Sequence, residues 1–214
     1  MHVEPGILSS STLAVAAVAA AGLGAAHAPR LWRRVLLAPR VVLAAAFFTL
    51  CMELVHLKVG PSELHLVGAM PMYLAFGLVP ALFAFALGLL VQAMLFEPAD
   101  LLHLAVNTLS LAVPLLVVHA LRGRHLRRVT LADVLRLDAL YCGGVTLMVG
   151  FWLLQAETAT PLADWARFAA SYLAVVVFEP VLTVAMLGAV ARLRGRRGAG
   201  LCFDARVRLA EGRG

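Results

Sequence analysis

Residues 64–96 read LHLVGAMPMYLAFGLVPALFAFALGLLVQAMLF, a run without one formally charged side chain. A helix needs ~20 apolar residues to cross a ~30 Å hydrocarbon core, and one unbroken helix from Leu64 to Phe96, at ~1.5 Å per residue, would be ~50 Å long. The stretch GLVP at 77–80 can break it, because proline removes a backbone donor and crowds the preceding turn. Two short spans, 64–79 and 81–96, therefore fit better than one long one. This choice sets the parity of every later segment.

Outside that run the pattern repeats. The 214-residue chain is 62% hydrophobic and 14% charged with mean hydropathy +0.91, whereas soluble domains are about half apolar and a quarter charged. An integral membrane protein is implied. Further apolar stretches fall at 7–26, 41–56, 102–121, 134–154 and 166–191. The first is not a secretory leader, although AAHA at 25–28 resembles a cleavage site. MHVEPG carries Glu4 and no Lys or Arg, while Arg30, Arg33, Arg34 and Arg40 follow the apolar run. The expected fold class is all-α, with about seven transmembrane helices, the N-terminus outside and the C-terminus cytoplasmic.

The positive-inside rule tests this parity. Of 18 Lys plus Arg, only Lys58 and Arg167 fall outside, and merging the third and fourth spans would put RGRHLRR at 122–128 on the wrong side. Residues 1–194 form a single seven-helix membrane domain. The polar, glycine-rich stretch 195–214 reads as a flexible cytoplasmic tail.

Composition excludes several functions. The net charge of +6 is blocked into short runs between apolar stretches, which marks cytoplasmic loops and not a nucleic-acid-binding surface. Cys51, Cys142 and Cys202 lack CxxC or metal-ligand spacing. Neither GxxxxGK[ST], HExxH nor GxSxG occurs, so the chain has no ATPase motif and no hydrolase motif. The predicted outer face instead collects Met1, His2, Glu4, Glu53, His56, Glu63, His65, Glu97, Asp100 and His103. An acidic, histidine-bearing mouth attracts cations.

His2 carries the sharpest chemical signal. The Met1 amine, the His2 amide and the His2 imidazole can close two small chelate rings in one plane, a geometry suited to Ni(II) or Cu(II) and less strictly to Co(II). The alternative is an accidental histidine at a disordered end. His65, in PSELHLVGAM, is the best-placed fourth nitrogen donor, against the reading of an interfacial polar residue. Glu53 and His56 share a helix face near the outer end of the second span, either beside an entry site or as an interfacial pair; His103 and Asn107 are ambiguous in the same way. Glu179, in VVVFEPVLTV, lies mid-span, where an ionisable group is a functional hypothesis by default. It either hydrogen-bonds a loop that plugs the bundle, with Pro180 freeing a carbonyl and Thr183 one turn on, or takes part in a proton-linked step.

Taken together, MHVEPGIL at the start, HLVG at 65–68, LLVQAMLF at 89–96, AxNxxxxAV at 105–113 and EPVLT at 179–183 run in order through about residues 1–190. In this the chain resembles the CbiM/NikM-type substrate-binding (S) components of cobalt and nickel energy-coupling factor transporters. The resemblance implies a metal-binding subunit of an ABC-type importer in a bacterial or archaeal cytoplasmic membrane. It implies Met1, His2 and His65 as ligands of Co(II) or Ni(II), with Zn(II) possible, as transported substrate. Its implied partners are a transmembrane T component, cytoplasmic ATPase subunits and a small accessory membrane protein. The sequence departs from the family where GAMPMYLAFG replaces a glycine-rich stretch and Ser110 replaces a second asparagine. Two other classes stay open: a stand-alone proton-coupled carrier centred on Glu179, and a membrane metalloenzyme using Glu53 or Glu63.

Overall fold

The computed structural model describes residues 6–59, 62–157, 161–204 and 206–210. Seven helical segments follow the predicted spans in order: α1 (Ser10–Trp32), α2 (Ala38–Leu54), α3 (Ala69–Phe76), α4 (Leu78–Leu95), α5 (Leu104–Leu121), α6 (Leu131–Leu154) and α7 (Leu162–Leu193). A short α8 (Ala199–Cys202) follows. Local chemistry starts several of them. The Ser9 side chain accepts from the Thr12 amide at 3.2 Å, and Thr130 and Asp133 form a reciprocal capping box at the head of α6.

Among the described residues, five segments are long and apolar enough to cross a membrane: α1, α4, α5 with the turn before it, α6 and α7. The other two depart from the sequence expectation. Helix α2 has 17 residues, and α3 has only 8, all of them buried. At ~1.5 Å per residue α3 is ~12 Å long, far short of a bilayer. The predicted third span is instead a strand, a bend and a half-length helix.

The strand belongs to a hairpin that the all-α expectation omits. β1 (His56–Val59) pairs antiparallel with β2 (Ser62–His65), with His56 opposite His65. VHLKV and SELHL alternate polar and apolar residues on either side of Gly60-Pro61, the period-two pattern of a hairpin. A hydropathy window long enough to find spans averages such alternation away.

The break between α3 and α4 is at Gly77, not Pro80. Gly77 has φ 95° and ψ 168°, a region open essentially to glycine. Pro80 sits in the first turn of α4, where its missing N–H costs nothing.

One apolar core joins α2 through α7, with Phe48, Phe85, Leu111, Leu115, Tyr141 and Phe168 fully buried. Helix α1 is peripheral and packs on α5 and α6 through Leu8, Ala16, Val106, Leu109 and Trp152. Without a hydrophobic drive between lipid-solvated helices, close approach depends on small residues. Gly88 of α4 faces Phe48 of α2, where a Cβ would sit 2.4 Å from the ring, and Gly150 of α6 faces Trp165 of α7 at 2.6 Å.

The chain after α7 packs back on the bundle, in contrast to the solvated tail expected from its composition. Phe203 stacks on Phe76 with centroids 5.6 Å apart, and the Asp204 amide donates to the Ala75 carbonyl at 2.6 Å. Arg40 donates to the Gly200 carbonyl at 2.6 Å, and Arg194 donates to the Val207 carbonyl. β4 (Arg208–Leu209) then pairs parallel with β3 (Arg128–Val129). The segment thus covers the end of the bundle where α3 turns into α4.

Gly88→Ala is expected to lower the thermal unfolding midpoint in detergent, overpacking of this kind costing ~1–3 kcal/mol. Gly143→Ala, with nothing within 4 Å of the added Cβ, should leave it unchanged.

Candidate metal site

His65 ends β2 and is 2% exposed. Its Nδ1 lies 3.3 Å from the Met52 carbonyl oxygen. A carbonyl can only accept, so this contact puts a ring proton on Nδ1 and orients the imidazole. The Leu66 amide bonds the Val55 carbonyl at 3.1 Å, so the chain entering the bundle is pinned to the end of α2 on both sides of the ring.

Three residues on, the chain turns at Gly68, which has φ 62° and caps α3. An added Cβ here would meet Phe47 Cε1 at 2.8 Å and Cys51 Sγ at 3.1 Å. The Gly68 amide donates to Glu179 Oε1 at 2.7 Å, in the middle of α7. Its other oxygen, Oε2, is buried without a hydrogen-bond partner among the described residues. The Glu179 carboxyl inside the bundle is thus held by a backbone donor at the head of α3. Glu179 and Thr183, one turn apart on α7, are both fully buried.

Asp138 of α6 is the residue the sequence reading missed. It is fully buried and its carboxyl adjoins that of Glu179. The signal was present, since LRLDALYCGG places an aspartate inside an apolar run, and an ionisable group there calls for the same question as Glu179. Tyr141 and Tyr172 are buried close by.

The other candidates disperse. Glu53, half-buried in the last turn of α2, lines a crevice of about 550 Å³ with Leu87, Val91 and Phe96, on the outer side of α2 and α4. His56 does not share a helix face with Glu53 as expected: α2 ends at Leu54, and His56 opens β1 as the register partner of His65. His103 and Asn107 are buried where the turn after α4 leads into α5, 0% and 2% exposed. Ser110, which stands where an asparagine was expected, accepts the Trp152 indole N–H at 2.9 Å and ties α5 to α6. Met1 and His2 lie outside the described residues. The chain that follows them is anchored, with the Ile7 carbonyl accepting from the Glu157 amide at 3.0 Å and Leu8 bridging Ala156. No cluster of three or more His, Cys, Asp or Glu with metal-binding geometry occurs among the described residues.

Comparison with known protein families now settles the resemblance. The family profile CbiM, described as the cobalt uptake substrate-specific transmembrane region, matches residues 2–197. This chain belongs to the CbiM family. Neither the curated proteins nor the solved structures yield a match. CbiM membership makes the chain a multi-pass membrane component of a cobalt uptake system, with cobalt as the transported substrate. The match spans the bundle from the first helix to the end of α7 and stops before α8.

Glu179→Ala, which leaves the Gly68 amide buried without its acceptor, should cost ~1–3 kcal/mol. Hydrogen exchange at residues 66–69 should rise severalfold. Glu179→Gln keeps a carbonyl acceptor and should retain most of the protection.

Proposed function

We propose that this chain captures a divalent metal through its extreme N-terminus and His65, and passes it inward as the metal-binding subunit of an ATP-driven importer. In this reading the Met1 amine, the His2 amide and the His2 imidazole supply three nitrogens, and His65 supplies the fourth. The N-terminus faces outside and the C-terminus is cytoplasmic, on the side of the arginine-rich stretches 30–40 and 122–128. Co(II) is the cargo the family description names, and a planar four-nitrogen set accepts Ni(II) as well.

The observation that carries the reading is the position of His65. A histidine on a loose interfacial loop would be exposed and variable in direction. This one is buried, with its ring oriented by the Met52 carbonyl, at the end of a loop whose next turn is held by Glu179. Such support fixes a ligand ring before metal arrives. The family profile begins at residue 2, so it includes His2.

Glu179 is assigned a positioning role in this scheme. The Gly68 amide donates to its carboxyl, and it belongs to the loop that carries His65. The chain contains no ATP-binding motif, so movement of the cargo falls to partners: a transmembrane T component, cytoplasmic ATPase subunits and a small accessory membrane protein. The membrane is a bacterial or archaeal cytoplasmic membrane. Liposomes holding this chain alone should show no cobalt uptake under a proton gradient, which a self-sufficient carrier would show.

Isothermal titration of Co(II), Ni(II) and Zn(II) into purified protein with its native Met1 tests the ligand set. One added residue before Met1 should abolish tight binding, because it removes the terminal amine. His65→Ala should weaken binding by more than the ~10–100-fold typical of losing an outer partner of a ligand. Equal binding by all three proteins would overturn the site.

A further inference from the structure

At the arginine-rich end of the bundle, opposite the hairpin, a cavity of about 880 Å³ lies between α1, α2, the α3–α4 break and the C-terminal segment. Five guanidinium groups line it: Arg30, Arg33, Arg34, Arg40 and Arg206. The one carboxylate in its wall is Asp204, and that group is spent on Arg206 at 2.6 Å. This bridge holds the Arg206 guanidinium even more firmly charged than usual. Arg30, Arg33 and Arg34 have no ion-pair partner among the described residues. Arg40 donates through Nη2 to the Gly200 carbonyl, while its Nε is buried and without a partner.

Four cationic charges in excess around one concave, partly dry volume repel one another more strongly than the same charges spread in water. The arrangement is stable when an anion occupies it. Guanidinium forks match the oxygens of a phosphate, and several converging forks select it over a monovalent halide. The floor of the cavity is apolar, with Leu37, Leu78, Pro80 and Leu116. Beside it, Trp32 and Leu36 are 77% and 68% exposed, which marks the level of the membrane boundary. An arginine rim over an apolar floor at that level suits an anionic phospholipid, whose headgroup meets the rim and whose chains run along the helices.

We propose that this cavity is a phosphate-binding site, with the headgroup of an anionic phospholipid as the source that its place at the membrane boundary favours. Asp204 and Arg206, which close one wall, lie beyond residue 197, where the match to the family ends. The site is therefore completed by a segment outside the matched region. It is also separate from the metal loop, which lies at the other end of α3. A lipid seated there would bridge α1, the α3–α4 break and the tail, and so stiffen the end of the bundle at which α3 and α4 meet.

The test uses the full chain, purified in detergent and reconstituted in nanodiscs of phosphatidylglycerol or phosphatidylcholine. Native mass spectrometry reads the phospholipid retained, and a thermal-shift series with inorganic phosphate reads the soluble alternative. Phosphatidylglycerol should be retained in preference to phosphatidylcholine, and the triple substitution R30Q/R33Q/R34Q should lower retention by more than ~10-fold. Should the triple variant misfold or insert wrongly, Arg40→Gln alone removes the half-buried fork and should lower retention severalfold. Cobalt binding should be unchanged in both. Stabilisation by inorganic phosphate without lipid preference would support the phosphate site and assign it a soluble ligand. Equal retention of the two lipids with no phosphate effect would overturn the proposal, as would retention that neither variant alters.

Discussion

A buried carboxylate needs a reason to exist, and Glu179 has one: the Gly68 amide, 2.7 Å away. This contact joins the middle of the last long helix to the head of the shortest one. Without it, α3 would start inside the bundle with orphan amides and no water to satisfy them. With it, the chain can enter from one end as a hairpin, turn at a left-handed glycine, and leave as a half-helix. The third predicted span is broken because its first half was never required to be helical. Its backbone is satisfied by Glu179, by the Val55 carbonyl and by the hairpin partner strand.

The same economy recurs at the other end of α3. Gly77 lets the chain reverse within one residue, and the reversal is covered by the C-terminal segment through Phe203 on Phe76 and Asp204 on Ala75. One end of α3 is therefore held by a carboxylate and presents a histidine. The other is held by the tail and ringed by arginines. Separation of charge by end is what the positive-inside rule rewards during insertion. It leaves the histidine-bearing end attractive to cations and the arginine-bearing end attractive to anions.

Much of this was legible in the sequence, and the rest was hidden for definite reasons. Among the described residues five of the expected spans appear as helices long and apolar enough to cross a membrane, because burying a backbone in lipid leaves few alternatives to a helix. His65 and Glu179 were singled out by type and depth, and the structure brings their segments together through the backbone of HLVG. Side-chain periodicity carries no information on a contact made by amides, so the partner of Glu179 could be named only as a plugging loop. The hairpin at 56–65 was lost because span detection averages over windows longer than a strand. Asp138 was lost because it follows Asp133 and Arg136 in α6 and so reads as part of the polar head of that helix. The described part of the tail is held by backbone hydrogen bonds and one phenylalanine stack, contacts that glycine and arginine content does not register. Glu53, by contrast, was placed on the right helix and faces the crevice beside α4.

The central claim is that cobalt binds through the two terminal residues and His65. X-ray absorption at the cobalt edge of the loaded, native-sequence protein tests it most directly. The account predicts a first shell of nitrogen donors alone, with outer scattering from two imidazole rings that falls to one ring in His65→Ala. A shell containing sulfur or dominated by carboxylate oxygen would contradict it, as would two-ring scattering that His65→Ala leaves unchanged.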